Sequence, residues 1–153
     1  MTIYLACTVR GDRSALAAAR RICAGLEARG HAVLTGHLLE DHVDEAEGRL
    51  THEAVFERDL EWLGRCDALV AEASGSSFGV GFEVGYVLAR APVTGQRVFL
   101  VYDAARRSAV SRLISGNTDP NCRLLAYARL DEIDSFIERH FPEPAPGTRE
   151  REF

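Results

Sequence analysis

The chain has 153 residues, 46% hydrophobic and 27% charged, with 18 Lys and Arg against 23 Asp and Glu for a net charge of −5. That length suits one domain with a proper core and argues against two. The mild acidity, with its basic residues scattered rather than massed in a stripe, argues against a nucleic-acid polymer as partner, and no apolar stretch approaches the ~20 residues that would span a bilayer.

The opening "MTIYLACTVR" holds too short an apolar run for a signal peptide, since Arg10 closes it. It reads instead as a buried first strand, Thr2 to Val9, ending at Arg10-Gly11-Asp12. From Ser14 to Arg29 the apolar residues Leu16, Ala19, Ile22, Cys23 and Leu26 recur at helical spacing, and Gly30 supplies a stop. "HAVLT", residues 31–35, predicts a second strand, and the polar stretch from Gly36 to about Gly48 predicts a functional loop. Residues 50–65 predict a helix built on Leu50, Val55, Leu60, Trp62 and Leu63.

"DALVAEA", residues 67–73, is a near-continuous apolar run of the kind found in parallel strands covered on both faces. The glycine-rich "SGSSFGVGFEVGY", residues 74–86, follows and runs into a helix from roughly Gly79 to Ala91. "RVFLVYD" is strand four, residues 107–115 a short helix, "RLLAYA" strand five, and Leu130 to Phe141 a final helix. Residues 142–153, proline-rich and polar, read as a disordered tail behind a single domain of residues 1–141. Strand and helix alternate throughout, which implies an α/β three-layer sandwich, flavodoxin- or Rossmann-like, with a parallel sheet in the order 2-1-3-4-5. Ligands in such sheets bind beyond the carboxyl ends of the strands at the switch point between strands one and three.

The glycine-rich segment sits at that switch point. Glycines 75, 79 and 81 let backbone approach a ligand, a following helix N-terminus offers amide N–H groups, and Ser76 and Ser77 add hydroxyls. It lacks the lysine of a P-loop and lies after the wrong strand for a dinucleotide fingerprint. Yet Glu83 stands in this anion cradle, expected in the first helical turn, where the dipole would hold it ionised. Asp59 is a second inward-facing acid, spaced from Val55, Leu63 and Cys66 on one helix side. Two carboxylates beside a phosphate cradle suggest glycosidic cleavage through an oxocarbenium-like transition state, the phosphate anchoring the sugar's 5′ end while Glu83 meets its anomeric carbon.

The segments "YLACTVRG", "RDLEWLGRCDALVAEAS", "SSFGVGFEVGY" and "VSRLISG" resemble the nucleoside 2-deoxyribosyltransferase-like superfamily, and within it the 2′-deoxynucleoside 5′-monophosphate N-glycosidases. The resemblance spans residues 3–141, and its core is DLEW with the Glu of a GxGxExG segment 24 positions after the Asp. It implies hydrolysis of (2′-deoxy)nucleoside 5′-monophosphates to free base and (2-deoxy)ribose 5-phosphate, with Glu83 as nucleophile and Asp59 orienting the sugar and assisting departure of the base. It further implies a phosphate pocket of Thr8, Arg10 and Gly11 on one wall and Ser77, Gly79 and Gly81 on the other. Ser111 would reach that phosphate from the partner subunit of a homodimer, with Tyr4 on the sugar side and His37 near the base. Alternatives are deoxyribosyl transfer between nucleosides, a CMP-type ribonucleotide N-glycosidase, and a nucleotide-binding sensor. Cys7, Cys23, Cys66 and Cys122 form no CxxC pair and read as separate thiols in a reducing cytoplasm. His31, His42, His52 and His140 lack metal-ligand spacing, so neither a metal nor a cofactor is expected.

Overall fold

The computed structural model describes residues 1–9, 12–75 and 77–143. Five strands, β1 (Thr2–Ala6), β2 (Ala32–Val33), β3 (Ala68–Glu72), β4 (Arg97–Asp103) and β5 (Cys122–Tyr127), form one sheet in the order β2-β1-β3-β4-β5. Every pairing is parallel. Among the described residues, six α-helices accompany the sheet: α1 (Leu16–Ala28), α2 (Val43–Glu47), α3 (His52–Arg65), α4 (Phe78–Thr94), α5 (Arg112–Ser115) and α6 (Asp131–His140). The expected strand order and layering are therefore present. The tail expected from residue 142 falls, from residue 144 onward, outside the described residues.

Alternation along the central strands sorts side chains into two cores. Ile3, Leu5, Ala68, Val70, Phe99 and Val101 face α1 and α6. Tyr4, Ala6, Leu69, Ala71, Val98 and Leu100 face the opposite way, toward Leu63 of α3 and Val80, Val84 and Val87 of α4. At the α1–α6 contact a Cβ on Gly25 would lie 2.9 Å from Ile137 Cδ1, so Ile137 packs over the space that glycine leaves. Among the described residues, no helix is long and apolar enough to cross a membrane.

Several local expectations shift. Strand one ends at Ala6 rather than Val9, where its pairing with β3 stops at Ala6–Ala71. Strand two shrinks to two residues because Thr35 joins β1 through its side chain: Leu5 N–H donates to Thr35 Oγ1 at 2.9 Å, and that hydroxyl donates to Leu5 O at 2.7 Å. A side chain thereby closes the ladder where backbone was expected to. The predicted loop of residues 36–48 instead folds into a 3₁₀ turn, Gly36–Leu39, and α2, because Leu38, Leu39 and Val43 are buried and pull the segment onto the domain. The helix expected over 107–115 is reduced to α5, preceded by a 3₁₀ turn at Ala104–Arg106. Helix α4 begins a residue early, where Ser77 caps it, and continues through Pro92 to Thr94. Pro92, in that last turn, removes an N–H from the helix ladder, and the turn closes with Thr94 Oγ1 donating to the Arg90 carbonyl at 3.1 Å.

Candidate active site

Strands β1 and β3 are neighbours, paired from Ile3–Ala68 to Ala6–Ala71, so the loops leaving their carboxyl ends stand side by side. A cavity of about 450 Å³ opens there. Tyr4, Cys7, Asp59, Ser77, Gly79 and Glu83 all line it. Leu38, Glu47, Leu50, His52, Val55 and Arg58 of the 36–58 segment form another part of its wall. One concavity thus holds both carboxylates singled out in the sequence together with the start of α4.

Glu83 is the sixth residue of α4, hence in its second turn rather than its first. The helix dipole acts within about one turn, so it does not secure the charge. Burial instead pushes the Glu83 carboxyl up to about 7; the hydrogen bond from Tyr4 opposes this, and the Asp59 charge adds to it. The Tyr4 hydroxyl donates to Glu83 Oε1 at 2.7 Å. Tyr4 itself is only 1% exposed. Burial, followed by the Glu83 and Asp59 charges, lifts its phenol far above the usual range, so it stays a donor.

Asp59 stands one turn from Val55 and one from Leu63 on α3, whose N-terminus is capped by Thr51 accepting from Ala54 N–H at 3.1 Å. That phase turns it inward, with its side chain 22% exposed. Burial raises its carboxyl, while the adjacent Arg58 guanidinium pulls the other way. Arg58 Nε donates to Asp59 Oδ1 at 2.9 Å, and its two terminal nitrogens donate to Glu47 Oε1 and Oε2 at 2.8 and 3.1 Å. The guanidinium also lies 4.8 Å from the Trp62 ring centroid. His37 Nε2 is 3.4 Å from Glu47 Oε1, and its ring meets Trp62 edge-on at 5.7 Å. His37 therefore backs the cavity wall through Glu47 without lining the cavity.

On the anion-binding side, Ser77 Oγ accepts from Val80 N–H at 3.3 Å as the α4 cap, and a hydroxyl that accepts retains a proton to donate. Gly79, at the second helical position, lacks an intrahelical acceptor for its N–H. Gly81 is two residues further round the helix, exposed and outside the cavity, with its N–H spent on Ser77 O at 3.2 Å. Thr8 lies in a small adjoining recess with Cys7, Asp12, Arg13 and Glu72. Its hydroxyl is buried without a hydrogen-bond partner among the described residues. Arg10 and Gly11, expected beside it, lie outside the described residues. A Cβ on Gly75 would fall 2.7 Å from Thr8 Oγ1 and 3.2 Å from the Asp12 carbonyl, so glycine lets the two loops touch. Ser111 is exposed, caps α5 by accepting from Leu113 N–H at 3.3 Å, and does not line the cavity.

Three charged groups near the site escaped the sequence reading. Arg58 and Glu47 are the first two; only the "ERD" adjacency hinted that an arginine would serve Asp59. The third is Glu72, 2% exposed at the end of β3. It accepts from Ser74 Oγ at 2.5 Å and Tyr127 Oη at 3.3 Å, and burial raises its carboxyl. An acid within the apolar run that follows Asp67 in "DALVAEA" was its signal. Nearby, Arg106 pairs with Asp12 and Ser14, tying the loop after β1 to the end of β4.

Comparison with known proteins gives a consistent result. A family model described as nucleoside 2-deoxyribosyltransferase matches residues 3–125. The chain is 43% identical over 142 residues to a Thermofilum pendens protein named as a 2′-deoxynucleoside 5′-phosphate N-hydrolase, covering 93% of this chain and 96% of that one. It is 30% identical over 143 residues to a Danio rerio protein named 5-hydroxymethyl-dUMP N-hydrolase, covering 92% and 96%. Among solved structures, a Clostridium botulinum CMP N-glycosidase aligns with a TM-score of 0.65 over 91% of this chain and 98% of that one. At 17% identity, that likeness concerns the fold.

Proposed function

The chain belongs to the nucleoside 2-deoxyribosyltransferase family, and from that membership we propose that it is a hydrolase cleaving the N-glycosidic bond of 2′-deoxynucleoside 5′-monophosphates. The observation that carries this reading is the shared cavity, in which Glu83, Asp59 and the Tyr4 hydroxyl adjoin the Ser77–Gly79 start of α4. The relatives named as N-hydrolases, aligned over more than nine-tenths of the chain, support the same chemistry.

The phosphate binds at the α4 N-terminus through the Ser77 hydroxyl and the Gly79 N–H, with the Thr8 hydroxyl on the facing side. Ionised Glu83 attacks C1′ as the C1′–N bond breaks, and the bonding electrons leave with the base. Asp59 orients the sugar and passes a proton to the departing base. Water then attacks C1′, Asp59 takes a proton from it, and Glu83 is released. The Tyr4 hydroxyl keeps one Glu83 oxygen hydrogen-bonded and so leaves the other directed at the sugar. A Tyr4 ring on the sugar side would crowd a 2′-hydroxyl and so favour deoxyribose over ribose.

The exposed apolar residues support a homodimer. Phe78, at the cavity edge of α4, is fully exposed, and Phe82 and Phe56 are more than half exposed. Leu113 beside Ser111 is also exposed. A second copy covering this face would remove several apolar side chains from water and carry its Ser111 toward the phosphate. Four free cysteines are in keeping with a cytoplasmic setting.

The test is a panel of deoxynucleoside and ribonucleoside monophosphates, and of free nucleosides with and without an acceptor base, scored by chromatography for released base. Hydrolysis of the deoxymonophosphates, lost in Glu83→Ala while monophosphate binding persists, is the expected result. Turnover only of free nucleosides with an acceptor would reassign the chain to deoxyribosyl transfer. Normal turnover by Glu83→Ala would remove the assigned nucleophile.

A further inference from the structure

The side-chain network behind Asp59 reaches further than its own helix. Arg58 uses all three guanidinium nitrogens, with Nε directed to Asp59 and the terminal pair holding the Glu47 carboxylate in a two-pronged contact. Glu47 ends α2 and lines the cavity, and its side chain is only 11% exposed. Trp62, one turn along α3, supports the guanidinium from beneath. A charge held among two carboxylates and an aromatic face has little rotational freedom. Planar, multidentate donors are the feature that separates arginine from lysine.

We propose that Arg58 is a positioning residue for base release: its guanidinium aims the Asp59 carboxylate at the substrate and at the same time fastens the end of α2 to α3 through Glu47. The inference rests on the reading of Asp59 given above. The groups facing Asp59 are Arg58 on its own helix, Glu47 on α2, His37 on the 3₁₀ turn, Tyr4 on β1 and Glu83 on α4. Arg58 is the nearest cation among them and the one hydrogen-bonded to Asp59. It lowers the carboxyl that burial raises, so its loss leaves Asp59 easier to protonate.

The experiment measures kcat and KM across pH for the wild type and for Arg58→Gln, Arg58→Lys and Glu47→Gln, with a 2′-deoxynucleoside 5′-monophosphate as substrate. Misaiming a catalytic group by about 1 Å costs on the order of 100-fold. Arg58→Gln is expected to lose about that much in kcat, with KM changed far less, and to move the alkaline limb of the kcat/KM profile, set by Asp59 as proton donor, to higher pH. Arg58→Lys keeps a cation and is expected to restore the limb while recovering little kcat, because an ammonium cannot bridge both carboxylates. Glu47→Gln retains Arg58 at Asp59, so kcat falls less and the limb does not rise. An unmoved limb in a folded Arg58→Gln, with activity falling only as its melting temperature falls, would reduce Arg58 to a structural residue. A rise of the limb in Glu47→Gln would equally overturn the inference. A wild type that releases no base from any monophosphate would instead overturn the functional reading on which this rests.

Discussion

Replacing Glu83 by Gln should stabilise the protein at alkaline pH and leave it unchanged at acid pH. Glu83 is held among Tyr4, Val84 and Val80 with one hydrogen bond to its carboxylate, and its carboxyl is raised from 4.5 to about 7. An acid with a higher pKa in the fold than in the unfolded chain binds more protons when folded. Stability therefore falls as pH rises from about 4.5 to 7, and the full cost is present above that window. At about 1.4 kcal/mol per pH unit of displacement, that cost is roughly 3 kcal/mol. Glutamine keeps the shape and still accepts from the Tyr4 hydroxyl while removing the charge. For a chain of this size, 1 kcal/mol is about 2–4 °C in Tm, so Glu83→Gln should melt roughly 6–12 °C higher at pH 8 and within about 1 °C at pH 4. Differential scanning calorimetry across pH reads this directly, and base release should be absent in the same variant. Equal melting temperatures at pH 8, or a Gln variant less stable there than at pH 4 relative to wild type, would refute a buried and strained carboxylate.

Three further changes test other joints. Tyr4→Phe removes the donor to Glu83, and a hydrogen bond to a charged group is worth about 1.5–3 kcal/mol; the acidic limb of kcat/KM should rise by about one pH unit or more, with activity recovering at high pH. A flat loss at every pH would oppose this. Gly75→Ala places a methyl against Thr8 Oγ1 and the Asp12 carbonyl, so it should weaken inhibition by inorganic phosphate and ribose 5-phosphate. Unchanged inhibition would separate that loop contact from the anion site. Gln96→Leu strips Nε2 from the Leu63 and Cys66 carbonyls, held at 2.8 and 2.9 Å. It should cost about 1–3 kcal/mol in urea unfolding while KM stays put.

The alternation of apolar strands with helical periodicities was enough to set the layer architecture. Strand order and the switch point follow from it because hydrophobic period is a local property of the chain. "RVFLVYD" reads as strand four and is strand β4, residue for residue. The i, i+4 spacing of Val55, Asp59 and Leu63 likewise turned one acid inward before any coordinates. What lay beyond the sequence depends on non-local contact. The short second strand is set by a Thr35 hydroxyl bonding to β1, and the apparent loop of residues 36–48 is drawn into turns by the buried Leu38, Leu39 and Val43.

The chain alone thus determined which residues are acids and which faces of their elements they occupy, since both follow from identity and period. Only the tertiary structure decided their electrostatics. Glu83 is expected ionised from its place near a helix start, but its second-turn position and its packing beneath Tyr4 hold its carboxyl near 7. Arg58 reads as one more surface charge until α2 brings Glu47 against it. Burial and pairing are set by which distant segments meet, and no stretch of sequence contains its own neighbours.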